Sequence, residues 1–518
     1  MLNVSDDDDN SIEWKQTLNN ESKGIPKLRR KASDKKKTKK NQFSKAKIML
    51  ESYKEDYFKN RQKNFLNYIC SDSHVCIAFG TATNNINNFF DEFNNFSLLS
   101  ESPVSIGSKS ANGFLKMLTF EKDKYIANTV LKSNQTNTAD NLVYEGLVGL
   151  FLNKKGEIFP CFLETYGIYK FINHKLYNYF KNNKLVDKKL ITNDVINKIN
   201  INIANFKSEA CDNLLYNAIM IQHLKEAITL SDLLKLKKSD SEFIDYELPY
   251  ILFQIYIPLS KLAKKFTHYD LHAYNVLLYT PNEYKYVYYH YHFDDGLVVS
   301  FKSKYIVKII DYGRSFFKKN NHELGNSYNI YEHFKQKCSG MNYGFFVSSR
   351  HNLLPYQKNE SYDLRLIGIL KDNNDITVPT FLSDFFNKVT QYQIEKTTSG
   401  LPNDINNVHD AATELINIVK DRKQSHDKYY EDLDTMMSKF GDLHIFMNGK
   451  KSMVFQKYLG EAEDSINQRD AVLYPKIKKI SPKKSSNKIV SPLKKSASSS
   501  KKKTIIGKIK SMFTRKKK

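Results

Sequence analysis

This chain of 518 residues has little cysteine: five residues, odd in number, widely spaced, with no CxxC pair. That usage argues against a disulfide framework and a structural zinc site, and it predicts a reducing compartment. Long apolar runs are missing too. No run reaches the roughly 18–20 residues that span a bilayer, so no transmembrane segment is expected. The opening stretch, Met1-Leu-Asn-Val-Ser-Asp-Asp-Asp-Asp-Asn10, lacks the apolar region of a signal peptide. An intracellular protein that is not secreted is therefore expected. Basic charge totals a formal +24 but is absent from most of the chain. Residues 475–518 carry 17 Lys/Arg and no acid, and residues 27–48 carry 11 against one acid. Residues 1–26 are net acidic, which leaves 49–474 close to neutral. The basicity thus gives no support for a nucleic-acid groove in the body. It assigns an anionic partner, nucleic acid or membrane surface, to the tails.

What is present divides the chain into stretches. Residues 1–48 are polar and read as a disordered basic arm. Residues 49–100 predict a helical extension, with Phe89, Phe90, Phe93 and Phe96 on one buried helical face. Residues 101–224 read as strands around one helix. Gly107 and Gly113 flank a polar loop, Tyr125–Lys132 reads as a strand, and Asp140 or Asn141 caps a helix carrying Tyr144, Glu145 and Val148. Ile158–Leu163 and Ala218–Leu224 read as further strands, with an Asn/Lys-rich insertion at about 170–212. Residues 225–460 open on a helix start at Thr229 and hold the clearest helix, 245–266, which Pro258 is expected to kink. An aromatic hairpin over Tyr284–Val299 follows, then helical material and a hairpin at 445–455 around Asn448-Gly449. Residues 461–518 are a basic Ser/Lys-rich tail. It closes on an amphipathic segment with Ile505, Ile506, Ile509, Met512 and Phe513 on one face, a pattern that suits an anionic membrane or a partner groove.

The chemistry concentrates in Phe266-Thr-His-Tyr-Asp-Leu-His-Ala-Tyr-Asn-Val-Leu-Leu-Tyr279 and in Val307-Lys-Ile-Ile-Asp-Tyr-Gly-Arg314. One carboxylate, an asparagine five residues on, and a second carboxylate beyond an apolar run are what phosphoryl transfer needs. The first orients a hydroxyl; the other two hold Mg²⁺ on nucleotide phosphates. A second pattern competes. His290-Tyr-His-Phe-Asp-Asp295 has the spacing of a metallohydrolase motif, but an aromatic hairpin with polar outward residues accounts for it.

In order, a glycine-flanked loop, a strand-end lysine, a helix glutamate, HxDLHxxN and IIDYG resemble the protein-kinase-like superfamily. The phrases Asp140-Asn-Leu-Val-Tyr-Glu145, Phe159-Pro-Cys-Phe-Leu-Glu-Thr-Tyr166 and Asp311-Tyr-Gly-Arg-Ser-Phe-Phe317 resemble, more narrowly, divergent serine/threonine kinases of large DNA viruses. The resemblance covers roughly 100–370. It implies an α+β, two-lobe fold, an ATP- and Mg²⁺-dependent activity, a protein substrate with a Ser/Thr acceptor, and a place in the host cytoplasm or nucleus or in the virion. Asp270 matches the catalytic aspartate, and Asn275 and Asp311 match the metal ligands. Lys132 and Glu145 match the phosphate-holding lysine and its helix partner, with Gly107 and Gly113 over the phosphates. Asp363 matches the buried aspartate that braces the catalytic loop, and His268 supports that loop.

Three features depart from the family. Gly107 and Gly113 do not make G-x-G-x-x-G, no A-P-E follows the DYG motif, and His272 stands where protein kinases carry lysine. Asp-Leu-His is similar to small-molecule phosphotransferases of the aminoglycoside and choline kinase type. A small-molecule acceptor and a catalytically weak pseudokinase scaffold are the alternatives.

Overall fold

A computed structural model describes residues 76–77, 80, 82–106, 113–136, 141–212, 214–238, 240–281, 284–337, 353–373, 376–389, 404–433, 437–450 and 453–454. Gly107, both basic tails and the terminal amphipathic segment lie outside the described residues. The chain is of the α+β class.

Helix α1 (Ala82–Phe89) is shorter than the expected helical face. Asp91, Glu92 and Phe93 have φ between 52° and 56°, a region that helical L-residues do not occupy. The helix therefore ends, and Phe93 and Phe96 enter the core from short 3₁₀ turns. All four phenylalanines are buried, as expected for core residues.

Strands β1 (Val104–Ser105), β2 (Gly113–Lys122) and β3 (Tyr125–Asn134) lead into α2 (Leu142–Gly156). Asn141 caps α2 by accepting the Tyr144 N–H at 3.1 Å. Ile158–Leu163, expected as a strand, is a turn with one parallel bridge, Phe162 to Ile309. Pro160 lacks the N–H that a ladder requires. The strand comes later, as β4 (Thr165–Phe171). The interval expected as an insertion holds α3 (His174–Lys181) and β5 (Ile196–Ile199), which pairs with β4. With β6 (Asn217–Gln222) these strands form one six-stranded sheet, ordered β1-β2-β3-β6-β4-β5. Both faces are covered. Leu131 and Ala218 belong to an aromatic cluster with Phe90 and Phe93. Ile219 and Ile168 belong to a larger core with α2.

The second part starts with β7 (Ile228–Thr229), α4 (Leu230–Leu236, capped by Thr229) and α5 (Ser241–Tyr246). Helix α6 (Leu248–Leu262) is buried almost all round, as its apolar sequence requires. It runs on through Pro258 to Leu262. Strand β8 (Phe266–Thr267) follows, then β9 (Val276–Tyr279), the antiparallel pair β10 (Lys285–His292) and β11 (Val298–Ser303), β12 (Ile306–Ile309) and β13 (Phe316–Phe317). Helices α7 (Ser327–Lys337), α8 (Arg365–Lys371), α9 (Thr380–Asn387), α10 (Val408–Asp421) and α11 (Lys423–Leu433) complete the helical part. Strand β14 (Ser438–Phe446) lies parallel to β10 and pairs with β15 (Met453–Val454), so the expected hairpin exists but its first strand starts earlier. Gly449, at φ +87°, supplies the left-handed turn residue.

His290 contacts Ser300 and Asp442, and His292 contacts His444 at 2.9 Å. These are sheet-face hydrogen bonds. Among the described residues no group of three or more His, Cys, Asp or Glu is placed to hold a metal. Cys76 and Cys211 are each disulfide-bonded, which removes the cysteine argument for a reducing compartment; Cys161 is free and buried. Among the described residues no helix is long and apolar enough to cross a membrane.

Candidate active site

Strand register sets the position of Lys132. It lies opposite Leu115 on β2 and Ile219 on β6, so it shares a face with Ile219. Helix α2 covers that face. A Cβ on Gly146 would lie 2.4 Å from Ile168 Cγ1, so glycine lets the helix approach closely. The neighbouring Glu145 then reaches Lys132, with Nζ 2.8 and 2.9 Å from its two carboxylate oxygens. The same ammonium lies 3.0 Å from Asp311 Oδ1. Burial works against the charge on Lys132, but Asp311 and Glu145 outweigh it and hold its pKa above the usual value. Lys132 in turn holds the Asp311 carboxyl below the usual carboxylate range.

A second ladder positions Asp311 and Asn275. β9 and β12 pair antiparallel up to Val276 opposite Ile309, and the next rung is the Ile310 N–H donating to the Asn275 carbonyl at 3.0 Å. Asn275 and Asp311 therefore both lie where the ladder ends, Asn275 opposite Ile310 and Asp311 one residue on. The Asn275 amide donates to the Asp270 carbonyl at 3.0 Å, which turns its Oδ1 the other way. An ionised carboxylate and an amide oxygen are hard donors that fit Mg²⁺, an ion that takes few protein ligands and keeps waters.

Asp363 fixes the loop before Asp270. Its carboxyl accepts the His268 N–H at 2.8 Å and the Tyr269 N–H at 2.9 Å. Burial pushes it up to about 7. Tyr269, at φ +62°, needs such bracing, and Asp311, at φ +67°, is the other left-handed residue here. His268 is fully buried and receives the Asp270 N–H on Nδ1 at 3.2 Å. Its Nε2, 2.9 Å from the Ile310 carbonyl, is then the protonated nitrogen. The ring ties Asp270 to the strand that leads to Asp311. Tyr312 is buried, and its hydroxyl accepts the Leu163 N–H at 2.8 Å and donates to the Ile309 carbonyl at 2.7 Å.

The structure thus brings Lys132, Glu145, Asp311, Asn275, Asp270, His268 and Asp363 together. Gly113 opens β2, where a Cβ would lie 2.6 Å from the Ser133 carbonyl oxygen. Its close approach is to β3. Two residues escaped sequence reasoning. Arg365 donates to Asp270 Oδ1 at 2.7 Å, and Arg314 donates to Oδ2 at 3.2 Å. Both follow motif residues, Arg314 after Asp311-Tyr-Gly and Arg365 after Asp363-Leu, and an arginine beside each motif was the available signal. His272 Nε2 lies 3.8 Å from Asp270 Oδ1, and burial lowers the ring's pKa. No protein-family model matches the chain, and no curated protein matches it.

Proposed function

We propose that this chain is an ATP- and Mg²⁺-dependent phosphotransferase, a serine/threonine protein kinase of divergent viral type. The six-stranded sheet with α2 would be the smaller lobe of a protein-kinase-like fold, and the α6-centred helical part the larger. One observation carries the proposal: Lys132 bridges Glu145 and Asp311, while Asn275, opposite Ile310 at the end of the β9–β12 ladder, donates its amide to the Asp270 carbonyl. These residues come from distant parts of the sequence and serve no shared structural need that apolar side chains would not meet as well.

Lys132, oriented by Glu145, would hold the nucleotide phosphates, and Asn275 and Asp311 would hold Mg²⁺. The ion, when bound, neutralises charge on the phosphate oxygens. Asp270 orients the acceptor. The acceptor hydroxyl oxygen bonds to the γ-phosphorus as the bond from that phosphorus to the β–γ bridging oxygen breaks. ADP leaves with the electron pair, and the hydroxyl proton passes to Asp270. Such catalysis is largely positioning and charge stabilisation.

His272 favours a second reading, a small-molecule acceptor, because an imidazole, its pKa lowered by burial, replaces the lysine that protein kinases carry there. Transfer from labelled ATP to casein-like proteins, compared with amino-alcohols and sugars, separates the two. Transfer to neither class overturns the proposal. The basic tails are proposed to bind an anionic partner, nucleic acid or membrane surface.

A further inference from the structure

Tyr144 and Glu145 are neighbours on α2, and through them the helix makes two different polar attachments. Glu145 holds Lys132 on the sheet. The Tyr144 hydroxyl donates to the Ser315 carbonyl and lies 2.8 Å from the hydroxyl of Ser327, the first residue of α7. Its one proton goes to the carbonyl, so Ser327 donates to it. Ser327 in turn accepts the Phe317 N–H at 2.7 Å. In the β8–β13 pair Phe316 lies opposite Thr267, which sets Ser315 against His268. The Ser315 hydroxyl donates to the His268 carbonyl at 3.2 Å. Tyr144, Ser315, Ser327 and His268 are all fully buried. A chain of hydrogen bonds thus runs from α2, through the segment after Asp311-Tyr-Gly-Arg314, to the loop that carries Asp270.

Packing alone does not need the Tyr144 hydroxyl. The seam is already aromatic: the Phe317 ring lies 6.3 Å from the Tyr144 ring and 5.4 Å from the Phe151 ring. A phenylalanine would fill the place of Tyr144 as well. The hydroxyl adds direction rather than volume. Ring contacts let a helix slide by fractions of an ångström, and hydrogen bonds to two fixed oxygens do not.

We propose that Tyr144 is a positioning residue of the phosphotransferase site, its hydroxyl fixing α2 against the catalytic loop so that Glu145 sets Lys132 relative to Asp270; this rests on the function proposed above. Being fully buried, Tyr144 acts through Glu145 and not on the reacting atoms. Without the hydroxyl, α2 keeps its core but loses its fixed register against the loop. Lys132 and Asp270 then no longer meet one γ-phosphoryl group in a single geometry.

The test measures single-turnover transfer from Mg-ATP by the full chain. Enzyme is in excess, so slow variants stay measurable, and the temperature lies well below every variant's melting point. Tyr144→Phe is expected to lower the transfer rate about tenfold. In a Glu145→Gln background, where α2 no longer holds the lysine by charge, the same change is expected to lower it by less than about twofold. Ser327→Ala removes the other hydroxyl and leaves the Tyr144 ring in place. It is expected to show the same dependence on background, and it decides the matter if Tyr144→Phe does not fold. A purely structural role would lower the melting temperature and leave the rate of the folded protein unmoved. A wild-type rate in Tyr144→Phe and Ser327→Ala, or an equal loss in both backgrounds, overturns the inference and leaves the phosphotransferase function standing. Absence of transfer by the wild type to any acceptor overturns both.

Discussion

Lys132 and Asp311 stand 179 residues apart in the sequence and 3.0 Å apart in the structure. The ammonium also holds Glu145, whose side chain is 4 % exposed, so a single lysine is shared by one buried and one half-exposed carboxylate. Lys132→Met is expected to lower phosphoryl transfer by about 10²–10³-fold. It also takes the lysine's charge away from the buried Glu145, at a cost of order 2 kcal/mol, a figure reduced because Lys132 keeps 23 % side-chain exposure. Adding Glu145→Leu to Lys132→Met is expected to restore stability without restoring transfer. Thermal unfolding and an initial-rate assay on the three proteins separate these effects.

Asp363→Asn tests the brace under the loop. An amide has one acceptor oxygen for two N–H donors, so either His268 or Tyr269 loses its partner. The expected loss is about 1–3 kcal/mol for the unsatisfied buried group, together with a fall in kcat as Asp270 loses its fixed position. A drop in stability with unchanged kcat would separate the brace from the chemistry.

Gly149 tests the seating of α2. A Cβ there would lie 2.0 Å from Thr165 Oγ1, on a short, branched side chain that cannot swing away. Gly149→Ala is expected to destabilise by about 1–3 kcal/mol and to shift the helix that carries Glu145. Gly156→Ala, at the end of the same helix, meets nothing within 4 Å and serves as the control, expected to stay within ~0.5 kcal/mol of wild type. Urea midpoints for the two variants give the comparison.

Much of this was legible beforehand for a physical reason. Asp270, Asn275 and Asp311 lie in short apolar segments whose local pattern fixes strand and loop. Lys132 sits in a long alternating strand, and Asn141 advertises a helix start. The misreadings arose where local signals conflicted. Phe89 to Phe96 have helical spacing, but three left-handed residues interrupt it. Ile158–Leu163 is apolar, but Pro160 bars a ladder. Each arginine was visible beside its motif, but its pairing with Asp270 was not, because partnership between residues 44 and 95 positions apart is set by packing rather than by period.

Glu247 predicts a pH dependence outside the site. It is fully buried, contacts Tyr430 and Ser303, and burial pushes its pKa up to about 7 from 4.5. The native state therefore keeps a proton that the unfolded chain has released. Its contribution to stability is fully present below about pH 4.5 and is lost as pH rises through about 7. Glu247→Gln cannot ionise, so the variant is expected to gain stability relative to wild type between pH 5 and pH 8. Melting temperatures of both proteins across that range, at constant ionic strength, check the sign. A difference that is flat with pH would contradict it.

The most direct measurement of the central claim is transfer of labelled phosphate from Mg-ATP by wild type and by Asp270→Asn, with ATP binding followed in parallel by thermal shift. The account predicts transfer by the wild type, loss of at least about 10²-fold in the variant, and an ATP-induced shift in both. Equal transfer by the two proteins, or no ATP-induced shift and no transfer by the wild type, would contradict it.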